Sequence, residues 1–96
     1  MNPALHNNWH YVYLLSSKNS CKIYIGCTND LERRLKEHER GKVCTTQKTL
    51  PLELVYYEAY KSKVHAYKRE KSLKAHGSSL AKIKSRLEID EKGRAG

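Results

Sequence analysis

Two charged side chains, Arg34 and Glu70, give the sequence its clearest indication of a chemical site. A helical wheel places Arg34 beside the apolar stripe that contains Leu35, while Arg33 points to solvent. Glu70 is the only carboxylate of a second predicted helix, and it shares a face with Leu73. An inward guanidinium is costly unless an anion meets it. A lone inward carboxylate is a candidate ligand for a divalent cation.

A closed ion pair between Arg34 and Glu70 is a second interpretation of the same pattern. Such a pair would satisfy both charges within the fold and leave neither available for a phosphate or a metal ion. The helical positions alone support the two interpretations equally.

The tyrosines are the next residues of chemical interest, because the chain has seven Tyr and no Phe. A tyrosine packs its ring and keeps a hydroxyl for hydrogen bonding or proton transfer. Most of the seven are expected to be ordinary core and sheet-surface residues. A further signal is needed to single out any functional one.

The elements that must position these residues begin with a hairpin. Segments 10–16 and 22–27 are rich in β-forming residues, and the turn-forming residues 17–20 lie between them. Asn29 stands three residues before Glu32, a spacing that predicts a helix start. That helix is expected to run to about Arg40 and to end at Gly41.

The second half of the chain adds one strand and two helices. Residues 52–60 are the third strand candidate, and Ser62 is expected to cap a helix that runs to about Ala75 and is closed by Gly77. Ser78 or Ser79 is expected to open the last helix. The order β-β-α-β-α-α predicts an α+β fold with a small three-stranded antiparallel sheet flanked by helices. One domain is expected over residues 9–88, with flexible termini at 1–8 and 89–96.

The formal net charge of +9 on 96 residues indicates a polyanionic partner, since each neutralised phosphate releases counterions. A role of the charge in solubility, or in binding to a membrane surface, is a weaker explanation. No apolar run has the length of a transmembrane span or of a secretory signal, so a cytoplasmic protein is expected. The three cysteines form no CxxC pair, which makes a zinc site an unfavoured interpretation.

The predicted hairpin carries a recognisable signature. Tyr11-Val12-Tyr13 and Tyr24-Ile25-Gly26 resemble the paired motifs of the GIY-YIG nuclease superfamily, and the second triplet matches its motif at every residue. The first triplet departs from it, because Tyr11 and Val12 stand where the motif has Gly and Ile.

Two later segments extend the resemblance to nearly the whole chain, and small stand-alone bacterial members are the most similar. Arg34 and His38 lie in segment 28–38, which resembles the arginine helix of the family. Glu70 lies in segment 66–74, which resembles the segment with the metal-binding glutamate of the family.

The resemblance implies a metal-dependent endonuclease with Mg²⁺ or Mn²⁺ as cofactor, acting on nucleic acid, with DNA favoured, in repair or recombination. It implies that Tyr24 positions or deprotonates the attacking water, with Tyr13 hydrogen-bonding nearby. It implies that Glu70 holds the metal ion and that Arg34 faces the scissile phosphate. His38 would orient the phosphate or a tyrosine. An ordinary tyrosine is only about one-thousandth phenolate at neutral pH, so a neutral, water-orienting Tyr24 stays an equal alternative.

Lysines and arginines are expected to contact phosphates without reading sequence. The candidates are Lys42, Lys48, Lys68, Arg69 and Lys71. Two other function classes compete with an active nuclease: a nucleic-acid-binding module of the same fold without turnover, and a protein-interaction or toxin-like accessory domain. A lone inward glutamate favours the nuclease, because a pure binding module has no need of one.

Overall fold

The computed structural model describes residues 9–18, 22–41, 51–75 and 77–87. These residues form one three-stranded antiparallel sheet and three helices in the order β-β-α-β-α-α, which confirms the predicted α+β class. The strands are β1 (His10–Ser17), β2 (Ile23–Thr28) and β3 (Leu52–Tyr60), and the helices are α1 (Leu31–Glu39), α2 (Lys63–Lys74) and α3 (Ser78–Arg86).

The first strand is the centre of the sheet, because the strand order is β2-β1-β3. In the predicted hairpin, Tyr13 of β1 pairs with Gly26 of β2. On its other side, Tyr13 pairs with Tyr57 of β3, and a register shift follows between Leu14 and Leu15. The second strand therefore has one free edge.

The two faces of the sheet have different helical partners. Val12 and Leu14 are fully buried in the main core, which α2 supplies with Ala66 and Leu73 and α3 with Leu80 and Ile83. Side chains alternate along a strand, so Tyr13 points to the opposite face. There it meets His38 of α1. The sheet is thus enclosed by α1 on one face and by α2 and α3 on the other.

The start of α1 differs by one residue from the prediction. Asp30, and not Asn29, is the N-cap, and its carboxylate accepts a hydrogen bond of 3.1 Å from the backbone N–H of Arg33. Thr28 fixes this cap, because its hydroxyl accepts from the backbone N–H of Asp30 at 3.1 Å. The predicted end is confirmed: Gly41 has a φ of 71°, a left-handed conformation that favours glycine.

The second helix begins as predicted, because Ser62 is its N-cap and accepts from the backbone N–H of His65 at 3.3 Å. The prediction that Gly77 closes this helix is wrong. Ala75 is the C-cap in a right-handed conformation, and its N–H is bonded to the preceding turn, so no left-handed glycine is needed. Gly77 instead stands at the N-cap of α3.

None of the helices in the described ranges is long and apolar enough to cross a membrane. The termini predicted at 1–8 and 89–96 lie outside the described residues, as do Cys21, Cys44, Lys42 and Lys48.

Candidate functional site

A hydrogen-bonded group of three side chains joins the central strand to α1. The hydroxyl of Tyr13 lies 3.0 Å from Nε2 of His38, and Nε of Arg34 donates to the same hydroxyl oxygen at 3.4 Å. Tyr13 is 2% exposed and His38 is 5% exposed. The structure therefore brings together three of the residues that the sequence singled out.

Gly26 makes room for this group. A Cβ atom at position 26 would lie 2.3 Å from Cζ and from the hydroxyl oxygen of Tyr13, far inside contact distance. The ring of Tyr13 therefore lies directly against the backbone of its cross-strand partner. The glycine of the second motif is required by a close approach of another side chain.

The pKa shifts in this group favour neutral side chains. Burial lowers the pKa of His38 below its usual 6.5, and the nearby Arg34 lowers it further. Burial raises the pKa of Tyr13 above 10.0, and this effect exceeds the opposing hydrogen bond from Arg34. Tyr13 thus keeps its proton and shares a hydrogen bond with Nε2 of a neutral His38, while its hydroxyl oxygen accepts from Arg34.

Arg34 has its carboxylate partner on its own helix. Nη1 of Arg34 lies 3.1 Å from Oε1 of Glu37, at i,i+3 spacing. Glu70 instead pairs with Lys74, with Nζ 3.0 Å from Oε2. The closed pair between Arg34 and Glu70 is not the arrangement in the structure. This removes the interpretation in which the two residues merely neutralise each other.

Arg34 and Glu37 both line a cavity of about 400 Å³ at the end of the sheet where β1 begins and β2 ends. Cys27 and Thr28 supply the β2 wall, His10 of β1 and Asn29 lie beside them, and residues of α1 and α2 supply the rest. The cavity therefore lies where the helices of the two opposite faces approach each other. Its lining is His10, Cys27, Thr28, Asn29, Arg33, Arg34, Glu37, Lys63 and Tyr67. Three arginine or lysine side chains and one carboxylate make it a cationic cavity.

Glu70 lies one turn after Tyr67 on α2, on the opposite face of the sheet from Tyr13. Its side chain is 19% exposed. Its negative charge contributes to the raised pKa of Tyr13 and of Cys27, in each case after burial, which has the larger effect. Glu70 is therefore close enough to act electrostatically on both faces of the β1–β2 pair.

Tyr24 has the weakest connection to this group. It pairs with Leu15 across the hairpin and is half-buried. It stands two positions before Gly26 on the strand, so both positions face the side of the sheet that carries Tyr13. Within the described residues, its hydroxyl is not part of the bonds that join Tyr13, Arg34 and His38.

The proposed phosphate contacts on α2 divide into two kinds. Lys68 and Lys71 are exposed on the outer side of the helix. Arg69 is engaged in the fold, because Nε and Nη2 donate to the two oxygens of Glu58 at 2.8 and 2.9 Å. The Glu58 carboxylate also accepts from the hydroxyls of Tyr56 and Tyr60, both at 2.6 Å. We therefore leave Arg69 out of the surface proposed below.

Sequence reasoning missed Glu37 and Glu58, although both had a detectable signal. Glu37 follows Arg34 at a spacing that brings helical side chains together. Glu58 stands between two tyrosines at alternate positions of a strand, which places all three on one face. An explicit search for partners of each inward cation would have found them.

Comparisons with known proteins point to one family. Residues 9–84 match the family model described as the GIY-YIG catalytic domain. A UPF0213 protein of Natronomonas pharaonis is 42% identical over 85 residues, covering 88% of this chain and 95% of that protein. A UPF0213 protein of Bacillus licheniformis is 36% identical over 93 residues, covering 96% and 91%.

A solved structure extends the agreement to the fold. The solution NMR structure of a UPF0213 protein from Bacillus halodurans has a TM-score of 0.51 and 31% identity, and covers 88% of this chain and 90% of that one. The family model spans most of the chain, and both UPF0213 relatives match over nearly their whole length. This chain therefore belongs to the GIY-YIG superfamily, whose catalytic domains are of the nuclease type.

Proposed function

We propose that residues 9–88 form a metal-dependent endonuclease that hydrolyses phosphodiester bonds in nucleic acid, with DNA as the expected substrate. One observation carries this proposal. Tyr13 and Glu37 hold the Arg34 guanidinium at the wall of a cationic cavity. Glu70 lies on the next turn of α2 from Tyr67, which lines the same cavity.

Arg34 is suited to the scissile phosphate. Phosphodiester hydrolysis needs neutralisation of the charge that grows on the phosphoryl oxygens. A guanidinium with two of its nitrogens already directed loses little freedom when a third donor meets an oxygen. Arg33 and Lys63 add positive charge to the same cavity, which favours a polyanionic chain over a neutral ligand.

Tyr13 and His38 act through Arg34 in this proposal. Both are buried, so neither is expected to touch the substrate. Their bonds fix the direction of Nε, and the raised pKa of Tyr13 opposes a role as a phenolate base. Orientation of the attacking water is assigned to Tyr24, which is half-buried on the same face.

Glu70 is the proposed ligand of Mg²⁺ or Mn²⁺. A carboxylate oxygen is a hard donor of the kind these ions prefer, and the Lys74 side chain that pairs with it is 56% exposed and free to move aside. Among the described residues no three His, Cys, Asp or Glu side chains cluster closely enough to hold a metal ion. Water and substrate oxygens would complete the shell, as suits Mg²⁺. A bound ion would supply Lewis-acid stabilisation of the phosphoryl oxygens.

The outer side of α2 extends the proposed contact surface. Lys68 and Lys71 are exposed there and would grip phosphates beyond the cavity. Lys42 and Lys48 stay expectations of the sequence, because they lie outside the described residues. Contacts of this kind predict strong salt dependence and little reading of base sequence.

Nicking of supercoiled plasmid with and without Mg²⁺ or Mn²⁺ tests the proposal. The wild type should convert supercoiled to open-circular DNA only with the metal ion, and Glu70→Ala should abolish the conversion. Glu53→Ala is the matched control, because Glu53 is an exposed carboxylate of β3. Binding without metal-dependent nicking would support a pure binding module instead. Failure to bind DNA or RNA at low salt would support a protein-interaction domain.

A further inference from the structure

We infer that Glu37 is a positioning residue with two opposing effects: it fixes the direction of the Arg34 guanidinium and weakens the binding of the nucleic-acid backbone. The inference rests on the proposed function, in which Arg34 meets the scissile phosphate. It deepens that proposal by assigning a role to a residue that neither the family motifs nor the metal hypothesis uses.

The first effect follows from the geometry of Arg34. The Tyr13 hydroxyl accepts a hydrogen bond from Nε at 3.4 Å, and Oε1 of Glu37 accepts one from Nη1 at 3.1 Å. These two contacts lie on different sides of the planar guanidinium and direct two of its three nitrogens. Nη2 is then left for a phosphoryl oxygen. Without Glu37, the guanidinium would keep its hydrogen bond to the Tyr13 hydroxyl and could rotate about that contact.

The second effect follows from the charge of the cavity. Among the described residues that line it, Glu37 is the only carboxylate, against Arg33, Arg34 and Lys63. Its side chain is 32% exposed, so an incoming phosphate would approach a partly desolvated negative charge. Like charges repel there more strongly than in open solvent. Glu37 therefore lowers affinity while it improves orientation.

The position of Glu37 on helix α1 explains how it can both direct Arg34 and weaken the binding of the nucleic-acid backbone. Arg34 and Glu37 are one turn apart, so their side chains meet on one side of the helix. The same helix carries a second acid–base pair, Glu32 and Lys36, with 3.4 Å between Oε1 and Nζ. Both of those side chains are more than half exposed, and neither lines the cationic cavity. This pair offers a matched control for a change of charge on α1.

Two substitutions separate the effects. E37Q removes the charge but keeps an oxygen that accepts from Nη1, whereas E37A removes both. E37Q should bind a short fluorescein-labelled DNA duplex in EDTA about threefold to tenfold more tightly than the wild type, and should keep a larger kcat for metal-dependent cleavage than E37A does. E37A should bind the duplex as tightly as E37Q does. Its kcat should be about tenfold below that of the wild type, because the Arg34 guanidinium is no longer held in one direction. The gain in affinity should shrink as salt is raised.

Glu32→Gln provides the control, since it changes the net charge of α1 equally but outside the cavity. A gain in affinity as large as that of E37Q would overturn the inference, since the effect would then be one of total charge. Loss of metal-dependent turnover in E37Q with unchanged binding would also overturn it, and would make Glu37 a metal ligand. Equal kcat in E37A and the wild type would remove the positioning role.

The binding measurement separates this inference from the nuclease proposal. If the wild type binds the duplex but cleaves nothing in Mg²⁺ or Mn²⁺, the nuclease proposal fails and the positioning role fails with it. The affinity order of E37Q, Glu32→Gln and the wild type still decides whether Glu37 weakens backbone binding.

Discussion

The hydroxyl of Tyr13 and Nε2 of His38 are 3.0 Å apart and both residues are almost fully buried, so a buried polar contact joins the centre of the sheet to α1, beside the bond that Arg34 donates to the same hydroxyl. A buried hydrogen bond is worth little when made but is costly when one partner is removed. The contact therefore couples the stability of the fold to the geometry of Arg34.

Removal of the Tyr13 hydroxyl tests that coupling. Tyr13→Phe leaves His38 without this partner and Arg34 Nε without its acceptor, and should lower the free energy of unfolding by about 1–3 kcal/mol. Plasmid nicking should fall by about tenfold or more, because Arg34 loses its direction. Urea unfolding and nicking rates measure the two effects. Tyr57→Phe, which changes an exposed tyrosine on β3, should alter neither. A nicking rate of Tyr13→Phe equal to that of the wild type would contradict the role given to this hydroxyl.

Acidification should weaken the same contact. The pKa of His38 is lowered in the folded protein, so the unfolded chain takes up its proton first as the pH falls below 6.5. The stability that depends on neutral His38 is complete above pH 6.5 and declines below it, until the folded pKa is passed. Thermal unfolding from neutral to mildly acidic pH should show this decline. The decline should be smaller in His38→Gln, which has no ring to protonate. An identical pH dependence in the two proteins would exclude His38 as its source.

The cluster around Glu58 predicts a second, lower pH transition. Burial alone would raise the pKa of Glu58, but hydrogen bonds from Arg69, Tyr56 and Tyr60 outweigh it and lower the pKa from 4.5 to about 2. This stability is complete above about 4.5 and is lost as the pH falls towards 2. The difference corresponds to roughly 3 kcal/mol at most.

Glu58→Gln tests the cluster directly. At neutral pH the variant should be less stable than the wild type by up to roughly 3 kcal/mol, and the two should converge as the pH approaches 2. Urea unfolding across the acid range gives both curves. Glu53→Gln, on the same strand but exposed, should follow the wild type throughout. If the difference in free energy of unfolding between Glu58→Gln and the wild type stayed constant across the pH range, the position would require the shape of the side chain and not its charge.

Gly26→Ala should disturb the site through Tyr13. The added methyl group would overlap the ring and hydroxyl of Tyr13, and relief of such a clash typically costs about 1–3 kcal/mol. Nicking should fall as far as in Tyr13→Phe, because both hydrogen bonds of the hydroxyl are displaced. Gly77→Ala is the control: a Cβ there meets nothing within 4 Å, and its stability should stay within about 1 kcal/mol of the wild type. Equal behaviour of the two alanine variants would show that Tyr13 moves aside freely.

Periodicity and cap residues predicted the fold well, because the strands and helices of this chain have strong local signals. The helix wheel placed Arg34 and Glu70 inward, and the structure has Arg34 at a cavity wall and Glu70 mostly buried. The choice between Asn29 and Asp30 as cap depended on a Thr28 side-chain bond that spacing does not encode. The partners of Arg34 and Arg69 were not predicted, because competition among nearby carboxylates is decided by three-dimensional distances.

The contact between Gly26 and the Tyr13 ring links two positions that are thirteen residues apart in the numbering of the chain. A larger residue at position 26 becomes acceptable only when position 13 gives up its ring, so the two substitutions should be strongly non-additive. The two halves of the hairpin motif thus form one structural unit, because the Tyr13 ring occupies the space that a side chain at position 26 would fill.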